Sequence, residues 1–478
     1  MTTVSTVIEQ GNIAFGTSGA RGLVSDFTAP ICAAFTLGFL TSQQSKSVVI
    51  GIDNRPSSPL IASYCAFAAL SLGYQVEYCG VLPTPALAAY AMSLNIPSIM
   101  ITGSHIPFDR NGIKFYRADG EISKADEQAI IGNQYQLDAP LIAELSGIDQ
   151  HSLPKASHSA SQYYIERYTK LFANNTLKNK RIGIYEHSSA GRDLYATLFE
   201  RLGATTLSLG RSDEFVPIDT EAVAAEDIEQ AKRWVTEHQL DAVFSTDGDG
   251  DRPLLSDESG EYLRGDILGL LAAKALGIDS LALPVSCNTS VEGCGVFTQI
   301  MRTKIGSPYV IEAFDSLCQT SRCVAGFEAN GGFLLASELT INGQVLPALP
   351  TRDAVLPVIA LLSYVEHSSI QEQIAALPKR YTAADRLQGI EREVSTQLLE
   401  QALTDATAFL QSVGLAQLQV VDVDQTDGLR LKLSDQSYLH LRPSGNAPEL
   451  RCYVETESSH SSQQRVDAVL AAISNQRR

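Results

Sequence analysis

Short apolar runs of strand length alternate with stretches of helical spacing along most of the chain. Ser47–Ile52 is short and β-branched, and residues 59–72 repeat apolar positions at helical intervals until Gly73 stops them. The spacing goes on to predict a strand at 74–79, a helix at 86–94 and a strand at 97–102. A polar stretch at 146–161 reads as a linker. The pattern then restarts, with strands at 181–185, 205–209 and 240–246 and helices at 193–202 and 224–237, the second helix carrying the only tryptophan, Trp234. A third unit follows, with a helix at 266–276 and strands at 280–285 and 323–327. Alternation of this kind predicts mostly parallel sheets, whose ligands collect beyond the carboxyl ends of the strands. From about residue 375 the pattern changes. A long helix at 391–410 precedes strands at 419–423, 428–433, 438–441 and 450–454, joined by short turns.

The fold expected is therefore α/β with four domains: three α/β units with mixed, mostly parallel sheets, then a C-terminal α+β domain. The boundaries fall at 1–150, 158–256, 257–375 and 385–478, and a chain of 478 residues has room for them. The expected repetition is one of strand and loop, because no fixed-period sequence repeat is visible.

Composition narrows the function classes. The chain is 44% hydrophobic and 19% charged, with no apolar run long enough to span a bilayer and no secretory pattern at the start. With 54 acidic side chains against 36 Lys and Arg, the formal net charge is −18. Nothing general draws such a chain to nucleic acid or anionic lipid, and an anionic substrate would need local cations. Eight cysteines lack any C-x-x-C pair or zinc spacing, which suggests a reduced, cytoplasmic protein.

The candidate chemistry lies in loops that follow strands. Ser104, in Thr-Gly-Ser-His, comes just past the 97–102 run. A hydroxyl there could attack phosphorus or carry a phosphate; a plain polar turn with His105 in solvent is the alternative. Asp247, Asp249 and Asp251 alternate with Gly248 and Gly250. Three such carboxylates repel one another unless a hard cation sits between them, and oxygen-only ligands favour Mg²⁺ or Ca²⁺. An EF-hand loop starting at Asp247 would find its acids through Glu258, but Arg252 stands at the sixth position, where glycine is required. A solvated acidic turn is the other alternative. Arg252 suits a phosphate that shares the metal. Arg21, among Gly16, Gly19 and Gly22, reads as an anion-facing turn or as a turn closing a strand. Glu328 and Asn330 offer hydrogen bonds to sugar hydroxyls, or a turn with one solvated acid. Arg442-Pro-Ser-Gly-Asn446 is a phosphate cradle built from a guanidinium, the Ser444 hydroxyl and the amides of Gly445 and Asn446, and Arg451 follows on the next strand. A serine beside a metal and an arginine suits phosphoryl transfer. A Ser-His-Asp hydrolase fits less well, because no G-x-S-x-G elbow is present.

Four loops in this order resemble the α-D-phosphohexomutase family, whose members include phosphomannomutase, phosphoglucomutase and phosphoglucosamine mutase. The carriers are Phe-Gly-Thr-Ser-Gly-Ala-Arg-Gly (15–22), Thr-Gly-Ser-His-Ile-Pro (102–107) with Asn-Gly-Ile-Lys (111–114), Asp-Gly-Asp-Gly-Asp-Arg (247–252) and Arg-Pro-Ser-Gly (442–445). The resemblance implies four domains around a central cleft and a phosphoserine at Ser104. It implies one Mg²⁺ held by Asp247, Asp249, Asp251 and the serine phosphate. Arg21, Arg252, His105 and Lys114 would surround the transferred group, with Lys114 a candidate proton shuttle. The implied reaction interconverts hexose 1- and 6-phosphates through a hexose 1,6-bisphosphate, which also primes the serine. Mannose phosphate is the favoured sugar and glucose phosphate the next; Thr17 and Ser18 argue against the amino sugar. The expected partners are small hexose phosphates, with no nucleic acid and no membrane, and the chain would be a monomer or homodimer. A Mg²⁺-dependent sugar phosphatase or a sugar-phosphate binding protein is the reading from another class. Four departures stand out: Asn330 where the family has serine, Gly332 where it has histidine, Ile106 where it has asparagine, and Asn446-Ala447 where Thr and Glu are common. Any duty of the missing histidine must fall elsewhere.

Overall fold

Three times the chain follows the same path. In a computed structural model describing residues 2–16, 19–444 and 448–475, the first unit orders its strands Gln75–Val81, Ser47–Ile52, Ser98–Ile101 and Arg110–Arg117. The first three are parallel and the last is antiparallel, with Ala20–Leu23 and Ala14–Phe15 added beyond it. The second unit repeats this order with Thr205–Leu209, Arg181–Tyr185, Ala242–Thr246 and antiparallel Pro253–Leu255. The third does so with Gln299–Thr303, Ser280–Pro284, Val324–Phe327 and antiparallel Phe333–Leu335, then Leu349–Asp353. In every unit one polar loop joins the last parallel strand to the antiparallel return. These are the loops of Ser104, of the three aspartates and of Glu328.

The last domain is one antiparallel sheet, ordered Tyr381–Gln388, Glu449–Thr456, Tyr438–Pro443, Leu429–Leu433 and Val420–Asp424. Its strand Leu429–Leu433 alternates buried and half-buried residues, as a sheet covered on one face must. The helices Arg392–Thr404, Ala406–Ser412 and Ser459–Asn475 contribute to its core through Leu399, Leu410 and Val469.

Ser47–Ile52, Arg181–Tyr185 and Thr205–Leu209 lie where the apolar pattern places them. The single helix expected at 391–410 is two. Asp405 leaves the helical region (φ −140°, ψ 81°), and its carboxylate accepts from the Ala408 N–H. A side chain that caps a new helix has displaced continuation of the old one. The strands Arg110–Arg117 and Leu349–Asp353 were not anticipated. Both bury polar side chains, Asn111 and Lys114 in one and Arg352 and Asp353 in the other, so buried polar groups break their hydrophobic pattern. The stretch expected as a linker runs along the edge of the first sheet, where the Ser157 N–H donates to the Tyr78 carbonyl (2.8 Å).

One hydrophobic core runs from unit one through units two and three, and Tyr164 and Tyr168 of the helix Ser159–Thr169 both donate hydroxyl hydrogen bonds to the buried carboxylate of Asp353. Half-buried Glu121 ties unit one to unit three, accepting from Thr351 Oγ1 (2.6 Å) and Ser307 Oγ (2.9 Å). All eight cysteines are free, and among the described residues no helix is long and apolar enough to cross a membrane.

His440, on the strand Tyr438–Pro443, is buried with Nε2 2.6 Å from the Asp427 carbonyl, so Nε2 carries the proton. Burial lowers its pKa, Asp427 opposes, Arg430 assists, and the result is about 4. The unfolded chain then binds a proton between about pH 6.5 and 4 that the folded domain refuses. Stability is complete above that window and is lost as pH falls through it, by up to about 3 kcal/mol. Hydrogen-exchange protection of this strand is expected to fall over that range, and His440→Gln to flatten the fall.

Candidate active site

Ser104 sits on a strained turn held from behind. Its φ is +53°, a left-handed conformation that costs a non-glycine residue about 1–2 kcal/mol. Its N–H donates to Thr102 Oγ1 (2.8 Å), and the buried guanidinium of Arg55 binds four carbonyls of the loop. Arg55 Nη1 donates to Pro107 O (2.8 Å) and Arg110 O (2.9 Å), and Nη2 to Ser104 O (3.0 Å) and Ile106 O (2.5 Å). A Cβ on Gly103 would fall 2.5 Å from Arg55 Nε, so that position tolerates glycine only. Asp53 accepts from the Gly103 N–H (3.2 Å) and pairs with Arg55 (3.2 Å), while Phe215 of unit two covers the guanidinium at 4.0 Å.

The serine hydroxyl points at the aspartate loop and donates to Asp247 Oδ2 (2.6 Å). Asp247, Asp249 and Asp251 are buried, each with an oxygen within 4.8 Å of the other two. Glycine is required at 248, where a Cβ would lie 2.7 Å from the Ser104 carbonyl, and at 250, where φ is +71°. Lys114 bridges Asp249 Oδ2 (2.6 Å) and Asp251 Oδ2 (2.7 Å), and Thr84 Oγ1 donates to Asp249 Oδ2 (2.6 Å). Asp249 Oδ1 and Asp251 Oδ1 are buried with no hydrogen-bond partner. Unused carboxylate oxygens converging on one point fit a hard divalent cation such as Mg²⁺. An EF-hand is ruled out, because Glu258 is spent on the backbone N–H groups of Ile370 (2.5 Å) and Gln371 (3.4 Å).

Charge sets the protonation states. Burial, then repulsion from Asp249 and Asp251, pushes Asp247 well above the usual carboxylate range. Burial would raise Asp249 too, but the charge and hydrogen bond of Lys114 hold it below that range. Lys114 stays protonated because its two carboxylates outweigh its burial. His105 Nδ1 lies 3.0 Å from Arg252 Nη1 and accepts from it. Burial, then Arg252 and Arg21, drive its pKa down to about 2, so His105 is neutral. Arg21, paired across the sheet with Gly112, is lowered to about 10 by burial and by Arg252.

The third unit closes this group. Glu328 is not a solvated acid: it is buried and ion-paired with Arg352 Nε, and Arg352 Nη1 lies 3.9 Å from Asp251 Oδ2. Asn330 Oδ1 accepts from the Gly332 N–H (3.0 Å), and the Asn330 carbonyl accepts from Thr220 Oγ1 (2.7 Å). In the last domain, Arg442 Nε donates to Asp427 Oδ2 (2.8 Å), which also accepts from the Ile305 N–H of unit three (2.9 Å). Arg451 lies opposite Arg442 in register, with Nε buried and without a hydrogen-bond partner. The Ser444 N–H donates to the Glu449 carbonyl (2.8 Å). Gly445, Asn446 and Ala447, like Thr17 and Ser18, lie outside the described residues.

The structure thus gathers Ser104, His105, Lys114, Arg252 and the aspartates, with Arg21 in their field and Glu328 joined through Arg352. Arg442, Ser444 and Arg451 form their own group on the last sheet. Sequence reasoning missed Arg55, Thr84 and Arg352. Arg55 carried a signal, since Asp53-Asn54-Arg55 directly follows the strand Ser47–Ile52. Thr84 and Arg352 carried none, because each reaches the aspartates from another unit.

Four successive segments match the domains described as phosphoglucomutase/phosphomannomutase alpha/beta/alpha domain I (12–138), II (162–260) and III (264–381) and C-terminal domain (371–473). The chain is 54% identical to a phosphomannomutase of Salmonella muenchen, over 98% of this chain and 97% of that one. It is 41% identical to a phosphomannomutase of Sinorhizobium fredii, over 96% and 98%. The fold matches that of a phosphoglucomutase/phosphomannomutase family protein from Burkholderia thailandensis, with a TM-score of 0.71, 18% identity, and coverage of 99% of this chain and 98% of that one. The chain belongs to the phosphoglucomutase/phosphomannomutase family.

Thr84 donates to Asp249 from another unit, the place of a group that would orient a candidate metal ligand. Thr84→Val is expected to weaken Mn²⁺ binding, followed by titration, about 10–100-fold.

Proposed function

We propose that the chain is a phosphomannomutase, which moves a phosphoryl group between the 1- and 6-positions of mannose phosphate through a phosphoserine at Ser104. The observation that carries this reading is the Ser104 hydroxyl, donating into a buried carboxylate triad ringed by lysine and arginine side chains from three units. Asp247, Asp249, Asp251 and the serine phosphate would hold one Mg²⁺, which would draw charge from the phosphoryl oxygens.

The other duties belong to the chain's own side chains. Arg21 and Arg252 neutralise the transferring group. The domain-four cradle of Arg442, Ser444, Gly445, Asn446 and Arg451 holds the phosphate that does not react, and Glu328 and Asn330 face the sugar. As the Ser104 Oγ–P bond breaks, a P–O bond to the sugar forms. The proton released by the sugar hydroxyl ends on Oγ, with Lys114 as its carrier. The product of this half-reaction is a hexose 1,6-bisphosphate. It turns over between cradle and serine and returns its other phosphate; the same compound primes an unloaded serine. Names of full-length relatives support mannose over glucose phosphate. The same reading puts the enzyme in the cytoplasm, as a monomer or homodimer.

Intact mass is expected to reveal a fraction of molecules heavier by about 80 Da, the mass of one phosphoryl group. Ser104→Ala is expected to abolish both that fraction and turnover. Among mannose, glucose, glucosamine and N-acetylglucosamine 1-phosphates, with Mg²⁺ and a bisphosphate primer, mannose 1-phosphate is expected to give the highest kcat/KM. No turnover of any of them would remove the mutase reading and leave the phosphatase or binding protein.

A further inference from the structure

Arg352 is a buried cation whose chemistry nothing in the chain uses up. It is 2% exposed, at the end of the strand Leu349–Asp353. Its Nε is paired with Glu328, but among the described residues neither Nη group donates a hydrogen bond. Nη1 lies 3.9 Å from Asp251 Oδ2, which is ion-pair range without a hydrogen bond. The shaft is packed away, and the Nη donors it carries are free to serve a ligand that accepts from them.

Its shaft explains a glycine. A Cβ built on Gly332 would fall 2.6 Å from Arg352 Cδ and 2.7 Å from Cγ. A side chain at 332 and the arginine at 352 exclude one another, so the cation reaches the aspartates through the space that a residue of the sugar loop would otherwise fill. The charge around it is also unbalanced toward an anion. Arg21, Lys114, Arg252 and Arg352 stand against Asp247, Asp249, Asp251 and Glu328, with mutual repulsion felt between Arg352 and both Arg21 and Lys114. With a divalent cation holding all three aspartates ionised, Asp247 included, two positive charges remain. A phosphoryl group carrying nearly two negative charges cancels them; without Arg352 one negative charge is left over.

Resting on the mutase reading, we propose that Arg352 is a further catalytic residue, whose free Nη donors bind an oxygen of the phosphoryl group in transit between Ser104 and the sugar. A guanidinium remains protonated, so Arg352 takes no proton. The bonds broken and formed, and the path of the hydroxyl proton to Ser104 Oγ, are those given above.

The test follows the phosphoserine directly. Wild-type protein and Arg352→Lys, which keeps the charge opposite Glu328 and loses the forked donors, are loaded with hexose 1,6-bisphosphate and mixed with hexose 1-phosphate. Loss of about 80 Da from Ser104 is timed by mass, and kcat, KM and Mn²⁺ affinity are measured alongside. Discharge and kcat are expected to fall together by about 10²–10³-fold, the usual cost of one lost donor to a developing anion, with KM and Mn²⁺ affinity nearly unchanged. In Arg352→Ala, free guanidinium ion is expected to speed discharge. A lysine protein that discharges at the wild-type rate, or an alanine protein that guanidinium does not help, overturns the assignment while the mutase reading stands. A wild-type serine that never takes or yields phosphate removes both.

Discussion

Three carboxylates share one buried point, and the molecule is arranged around that repulsion. Two unit charges 4 Å apart repel by about 4 kcal/mol even at an effective dielectric of about 20. Asp247 answers by favouring its protonated form, and Asp249 by taking Lys114 and Thr84 as donors. Arg252 lies 3.8 Å from Asp247 and 3.7 Å from Asp251, and Arg352 approaches from the far side. Buried ion clusters of this kind stabilise a fold little, because desolvation cancels much of the attraction. Their arrangement suits a hard cation and a phosphoryl group better than it serves stability.

The repeated unit makes that arrangement possible. A parallel strand at the middle of a sheet ends in a loop at its carboxyl edge, and the antiparallel return fixes that loop at both ends. Because three units do this, three loops of different chemistry can face one another. They stay in register through contacts between units. Thr84 reaches from unit one to Asp249 in unit two, Glu121 reaches unit three, and Asp353 of unit three receives two tyrosines of the helix that opens unit two. Arg55 joins this set, since the Ser104 carbonyl it binds is the atom that presses on Gly248. The serine and aspartate loops thus share one boundary, set by a guanidinium that pairs with Asp53 and bonds neither the Ser104 hydroxyl nor the three aspartates of the loop.

Much of the fold was legible because β-branched runs such as Ser47–Ile52 bury both faces and read plainly. Arg110–Arg117 and Leu349–Asp353 were missed because they carry site residues in the interior, where an apolar pattern is expected. The split at Asp405 was missed because periodicity records a face and ignores a cap. In the site, Ser104, Arg252 and the aspartates were legible because their polar loops follow strands and suit one chemistry together, and Lys114 was legible only through the family resemblance of its segment. Glu328 was legible as an acid of the site, but its ion pair was not.

By itself the sequence determined the class of fold, the serine and aspartate loops, and the chemistry of hard cation and phosphate they suit, since those depend on residue type and local spacing. Tertiary structure decided which charges meet. Lys114 bridges two aspartates, His105 is neutral, Asp427 holds Arg442, and Arg352 stands over Gly332, each through a partner far away in sequence. The reason is physical: periodicity reports which face of an element is buried, whereas electrostatic energy depends on distances between elements that only packing sets.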